Sequence, residues 1–269
     1  CAMKDLLAFF ALKRFPFDKN IKTEDVLKTK PVKECTARFD YIKRRGGILL
    51  LTGDPGTGKT LALRHYVESL NENLFKTCYT PLSTLSRSDL LYHLNRLLGL
   101  PHRLSKSAIY NQIQQALLES KEQMGKTVLL ILDEAHLLQT GPLEELRLLT
   151  NFKMDSYDPF ILVLSGQSDL RRTMEFAVME PFNQRIAMRY HMPGLCLDEC
   201  KQYIAHHLKL AGAQEPILDE RAVDAVHELS YGIPRKIGAI TEQALTYAMF
   251  DNKRNVTADM VLKVKSLEG

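Results

Sequence analysis

The chain reads as an α/β domain built on a parallel sheet and followed by a small all-helical domain, and three observations lead there. The first is a glycine-rich segment, Gly53-Asp54-Pro55-Gly56-Thr57-Gly58-Lys59-Thr60, set between an apolar run, Ile48-Leu49-Leu50-Leu51, and a helical pattern from Leu61 to Val67. The second is a pair of continuous apolar runs, Thr127 to Leu132 and Phe160 to Leu164. Runs without alternation mark strands covered on both faces, as in a parallel sheet flanked by helices. The third is a change of pattern at Leu197, after which only helical spacing is left.

Taken in order, residues 1–45 read as an N-terminal arm punctuated by Phe15-Pro16-Phe17 and Lys30-Pro31. Within it, Leu6-Leu7-Ala8-Phe9-Phe10-Ala11-Leu12 has the character of an amphipathic helix that packs on the core. Residues 46–195 form the α/β core. Phe75 to Thr80 is a second strand, ended by Pro81. Leu90, Leu91, Leu94, Leu97 and Leu98 keep helical spacing until Gly99-Leu100-Pro101 breaks it, and Ser105 to Lys121 forms the next helix. Residues 196–269 form the helical lid, with segments at 197–212, 218–230, 235–250 and 257–267, most of them separated by Gly212, Pro216, Gly232 and Pro234.

The bulk numbers fit this plan. A chain of 269 residues with 45% hydrophobic and 25% charged residues is ordinary for a soluble globular protein. No apolar stretch approaches the roughly 20 residues needed to span a bilayer, so no membrane partner is expected. Five cysteines without regular spacing argue for a reducing compartment, the cytoplasm, and against a disulfide scaffold. The net charge is +4, but residues 1–50 carry a local +6. A basic front end on a near-neutral body fits a polyanionic partner.

The glycine-rich segment matches G-x-x-x-x-G-K-[ST] in the setting that motif requires, between strand and helix. Gly53, Pro55, Gly56, Thr57 and Gly58 would turn backbone N–H groups toward the phosphates of ATP, and the helix N-terminus behind them favours an anion. Lys59 would reach the β- and γ-phosphates, and Thr60 would place its hydroxyl on Mg²⁺. The run ending at Leu132 continues into Asp133-Glu134-Ala135-His136. A carboxylate at the end of a buried strand beside a phosphate loop is where phosphoryl-transfer enzymes hold the metal, so Asp133 is expected there. Glu134 would polarise the attacking water, which makes the site hydrolytic rather than a binding site alone. The same four letters spell a helicase box, but the chain is too short for the second tandem domain such helicases need.

Together these motifs resemble the AAA+ ATPases. Ser165-Gly166-Gln167-Ser168-Asp169-Leu170 is similar to the sensor 1 segment, with Gln167 preferred over Ser165 as the polar group. Asn183-Gln184-Arg185-Ile186, followed by Arg189-Tyr190-His191-Met192, resembles the arginine-finger stretch, and Gly232-Ile233-Pro234-Arg235 resembles sensor 2. The wording of these segments, with Phe15-Pro16-Phe17, is most similar to the ExeA-like ATPases and the related TnsC, TniB and MuB transposition regulators. The resemblance implies a parallel five-stranded sheet, with nucleotide between core and lid. It also implies that Arg185 acts in trans on a neighbour's nucleotide, with Arg189 as substitute, and that Arg235 acts in cis.

The function the resemblance implies is an ATPase that self-associates with ATP as a ring or filament, binds duplex DNA through its backbone and regulates a transposase. A second basic cluster, Lys76, Arg87, Arg96, Arg103 and Lys106 against one acid, Asp89, would face the DNA. The alternative is an ExeA-like secretion or envelope-assembly ATPase acting on protein. The membrane span and peptidoglycan-binding region of secretion ExeA proteins are not found in this sequence.

Overall fold

The computed structural model describes residues 2–18, 21–81 and 84–267. In chain order the helices and strands are α1 (Ala2–Phe9), α2 (Lys30–Arg45), β1 (Gly47–Thr52), α3 (Lys59–Glu68), β2 (Phe75–Pro81), α4 (Arg87–Leu97), α5 (Lys106–Glu122), β3 (Thr127–Asp133) and α6 (Thr140–Leu149), followed by β4 (Phe160–Gly166), α7 (Ser168–Met174), α8 (Glu180–Asn183), β5 (Ile186–His191), α9 (Leu197–Ala211), α10 (Glu220–Ser230), α11 (Pro234–Phe250) and α12 (Ala258–Leu267). They group into two compact units. One comprises residues 34–55 and 59–192; the other comprises residues 1–33, 56–58 and 193–269. The expected arm at 1–45 therefore divides, its end joining the sheet and its beginning the helical unit.

In the sheet unit five strands run parallel in the order β2-β3-β4-β1-β5. The three inner strands β1, β3 and β4 are buried at every position. That is why their sequences are unbroken apolar runs: helices cover both faces and no position faces water. The outer strands β2 and β5 alternate or lapse in burial, and their sequences are correspondingly mixed. Pro81 ends β2 at the sheet edge, where a missing N–H is tolerated. Leu90, Leu91 and Leu94 of α4 and Ile109, Ile113 and Leu117 of α5 are buried in the sheet unit's core. Each such burial contributes about 1.5–3 kcal/mol. Both helices start on a serine cap: Ser86 Oγ accepts the Asp89 N–H, and Ser105 Oγ accepts the Ala108 N–H.

The helical unit gathers Leu6, Phe10 and Leu12 with the apolar faces of α9 to α12. The amphipathic N-terminal segment thus packs into the core of this unit. Phe15-Pro16-Phe17 acts as its clasp. The Phe17 ring stacks on Tyr203 and His207, with centroids 6.0 and 5.1 Å away. His207 Nδ1 donates to the Pro16 carbonyl at 2.8 Å. Gly238 on α11 has no room for a Cβ, which would lie 2.9 Å from the Phe17 Cβ. Burial above all, with the charges of His206 and Arg14, depresses the His207 pKa to about 4 against the partial support of the Pro16 hydrogen bond. Among the described residues no helix is long and apolar enough to cross a membrane.

Candidate functional site

In the sheet unit the motif residues Lys59, Thr60, Asp133, Glu134 and Gln167 lie at or beyond the C-terminal ends of β1, β3 and β4. This is the edge at which open parallel sheets bind ligands. Lys59, the first residue of α3, is buried, and its Nζ donates to the carbonyls of Gly53 at 2.8 Å and Asp54 at 3.0 Å. Thr60 follows on the same turn, and its Oγ1 donates to Asp133 Oδ2 at 2.8 Å. One hydrogen bond thus joins the glycine-rich loop to the acidic strand end.

Asp133 is only 3% exposed. Its Oδ1 accepts the Glu134 N–H at 3.0 Å, and its Oδ2 accepts a second hydroxyl, Tyr79 Oη, at 3.2 Å. Burial first, then the Asp133 charge and this hydrogen bond, push the Tyr79 phenol up to about 12, so it stays a donor at neutral pH.

Glu134 sits in the left-handed region at φ 56°, a conformation that costs a non-glycine residue energy and clusters at functional sites. The turn lifts its carboxylate off the strand, half exposed, with Oε2 3.4 Å from His136 Nδ1. The same His136 nitrogen accepts a long hydrogen bond from the Gln167 N–H at 3.4 Å, so the end of β4 and the Glu134 turn are neighbours. Gln167 is half-buried at the start of α7. Ser165 Oγ is buried and has no hydrogen-bond partner among the described residues. Ser168 Oγ, at the start of α7, donates to Asp54 Oδ1 at 3.2 Å, tying the segment after β4 to the glycine-rich loop.

In the helical unit, Gly56 lies against the first turn of α11. The Arg235 N–H donates to the Gly56 carbonyl at 3.3 Å. A Cβ on Gly56, whose φ is +87°, would lie 2.7 Å from the Arg235 Cβ and 3.2 Å from Ile233 Cγ2. Glycine is required here twice over, by backbone conformation and by space. The Arg235 side chain is exposed.

The two finger candidates are both held. Arg185 is ion-paired with Asp155 at 2.8 Å and donates to Thr150 Oγ1 at 3.0 Å and the Arg147 carbonyl at 3.3 Å. Arg189, the more exposed of the two, donates to the side chain and carbonyl of Asn183 at 2.6 Å.

Four of the five residues of the basic cluster have internal partners, two of them carboxylates. Arg87 pairs with Glu144 at 2.7 Å, and Lys106 pairs with Glu145. Arg103 donates to Gln112, and Lys76 to the Leu98 carbonyl.

The sheet order, the loop after β1 and the carboxylates after β3 define the class. The chain has the AAA+ P-loop NTPase fold. Residues 42–174 match the family model of the AAA domain. General secretion pathway protein A of Aeromonas hydrophila is 32% identical over 243 residues, a match covering 89% of this chain and 44% of that protein. The chain therefore spans under half the length of the curated relative it matches. The Aeropyrum pernix ORC2 protein, in ADPNP–ADP complexes, superposes with a TM-score of 0.65 at 17% identity, covering 94% of this chain and 71% of that one. The Aeropyrum pernix ORC1 protein in complex with DNA gives 0.64 at 17%, covering 94% and 69%. Identities this low carry the fold and nothing finer.

The sequence singles out neither Tyr79 nor His136 as a site residue. The place of Tyr79 beside Asp133 depends on the β2–β3 register, which no local pattern encodes.

Proposed function

We propose that the chain binds ATP with Mg²⁺ and hydrolyses it. The Thr60–Asp133 hydrogen bond carries this reading, because it already unites the two groups expected to hold the metal. The cation, when bound, neutralises charge on the phosphate oxygens. Lys59 would exchange the Gly53 and Asp54 carbonyls for phosphate oxygens, a stronger charge-assisted pairing. Glu134, lifted clear of β3, would accept the proton of the attacking water, with Gln167 orienting that water from the end of β4. Arg235, from its resemblance to sensor 2, would act on the nucleotide in cis. Lys59→Ala should abolish ATP binding, whereas Glu134→Gln should keep binding and lose turnover, since a carboxamide cannot take the proton. Wild-type turnover by Glu134→Gln would remove Glu134 from this role.

The ATPase cycle is assigned to work on a protein partner in the cytoplasm, in the manner of a secretion or envelope-assembly ATPase. The similarity to general secretion pathway protein A supports this, as does the pairing of Arg87 and Lys106 with glutamates. A second reading, a DNA-binding regulator of a transposase, is favoured by the basic first 50 residues. Titrating duplex DNA at low salt against protein loaded with a slowly hydrolysed ATP analogue separates the two. Tight, salt-sensitive binding would put the DNA reading first; its absence would leave the protein partner. In either case self-association, as ring or filament, would bring Arg185 or Arg189 to a neighbour's nucleotide.

A further inference from the structure

Tyr79 and Asp133 belong to neighbouring parallel strands. Tyr79 stands opposite Ile131, two residues before Asp133, so both side chains project from the same face and meet on the diagonal. The phenol oxygen lies 3.2 Å from Asp133 Oδ2, and Thr60 Oγ1 lies 2.8 Å from the same atom. Asp133 Oδ1 is held by the Glu134 N–H. Each carboxylate oxygen is therefore oriented, and Oδ2 is oriented from two sides.

The two Oδ2 donors are not equivalent. Thr60 is expected to share its oxygen with the cation, so its geometry must answer to the metal and the phosphates as well. Tyr79 has no such second duty. It comes from the outer strand, the residue is 42% exposed, and a phenylalanine would fill the same space. What phenylalanine would lack is the hydroxyl on the carboxylate.

We propose that Tyr79 is a positioning residue for the divalent cation, locking the Asp133 carboxylate in the rotamer that receives it. The inference rests on reading Thr60 and Asp133 as the metal-binding pair of an ATP site. Groups that orient a metal-binding carboxylate from behind typically contribute about 10–100-fold in metal affinity. Tyr79 bonds to the carboxylate rather than to the phosphate loop, so metal-free nucleotide affinity should not depend on it.

The test uses the full chain with ADP and Mn²⁺ in place of Mg²⁺, reading bound Mn²⁺ by electron paramagnetic resonance. Tyr79→Phe should bind Mn²⁺ at least about tenfold more weakly than wild type. Its ADP affinity in EDTA should equal that of wild type. Its turnover should recover at high Mg²⁺, raising the metal KM while kcat is kept. Tyr110→Phe, which removes a phenol bonded to the Leu148 carbonyl, should behave as wild type. Equal Mn²⁺ affinity in wild type and Tyr79→Phe would overturn the inference. So would a loss of metal-free ADP affinity, which would mark a structural role. A wild-type protein that takes up ADP but no Mn²⁺ would instead overturn the metal-site reading beneath it.

Discussion

Lowering the pH should loosen the helical unit through one side chain, His207. The ring is buried between Phe17 and Tyr203, and its Nδ1–H is used on the Pro16 carbonyl. A proton added to the other nitrogen would place a charge in this apolar setting, near His206 and Arg14. The folded pKa is accordingly depressed from 6.5 to about 4. Between those two values the unfolded chain binds a proton that the folded chain refuses. Stability is therefore full above the unfolded pKa and is lost as the pH falls toward the folded one. Going from pH about 7.5 to about 5.0 should cost about 2 kcal/mol, and the loss should level off near 3 kcal/mol once both states are protonated.

Hydrogen exchange of α9 amides reads this directly, because the opening free energy of the helical unit sets their protection. After correction for intrinsic rates, protection should fall roughly thirtyfold at pH about 5.0, each 1.4 kcal/mol being a factor of ten. His207→Gln keeps a donor for Pro16 and has nothing to titrate, so its protection should be lower at neutral pH but flatter with pH. The wild-type-minus-variant difference isolates His207 from every other group. A variant with the same pH dependence as wild type would refute the reasoning.

Two further outcomes are expected. Gly56→Ala must adopt φ +87° and displace the first turn of α11, so fluorescent ADP titration should show nucleotide affinity at least about tenfold weaker. Arg185 and Asp155 separate a trans finger from a structural clamp. If Arg185 serves a neighbour, Arg185→Ala should lose about 10³-fold or more in turnover while Asp155→Ala retains it, whereas a clamp predicts the same modest loss from both, with lowered melting temperature.

The inner strands and the lid helices were legible because burial on all sides, or on one stripe, leaves an apolar period in the sequence. Leu197, Pro234 and Ala258 begin α9, α11 and α12 within a residue of where the spacing put those helices. β5 was not legible as a strand. It is a short edge strand in which only Ile186 and Tyr190 are buried, and Arg189 within it and Arg185 just before it point to chemistry instead. The sequence places α2 within an arm, although Val32, Cys35, Phe39 and Ile42 keep a helical stripe and are all buried. Charged residues between them dilute the stripe, and Pro31 looked like a break. At the start of a helix proline is instead favourable, since the first N–H groups have no partner to lose.

The site divides along the same line, between what the chain places locally and what the fold brings together. Lys59 and Thr60 follow the glycines directly, and Asp133 and Glu134 follow one strand, so backbone continuity alone put them in the right order. Tyr79 on Asp133, Asp155 on Arg185 and Glu144 on Arg87 are pairings between distant segments. Formal charge in a sequence counts each arginine as available to a partner; a fold decides which are already neutralised. The basic stretch from Lys76 to Lys106 looks like a polyanion surface when its charges are counted, and less like one when its partners are named. A surface meant to exchange counterions with nucleic acid would gain most from cations without carboxylate partners, since only those add fully to the salt dependence. Glu144 and Glu145 of α6 pair with Arg87 and Lys106, the first residues of α4 and α5, and so tie the start of each helix to α6.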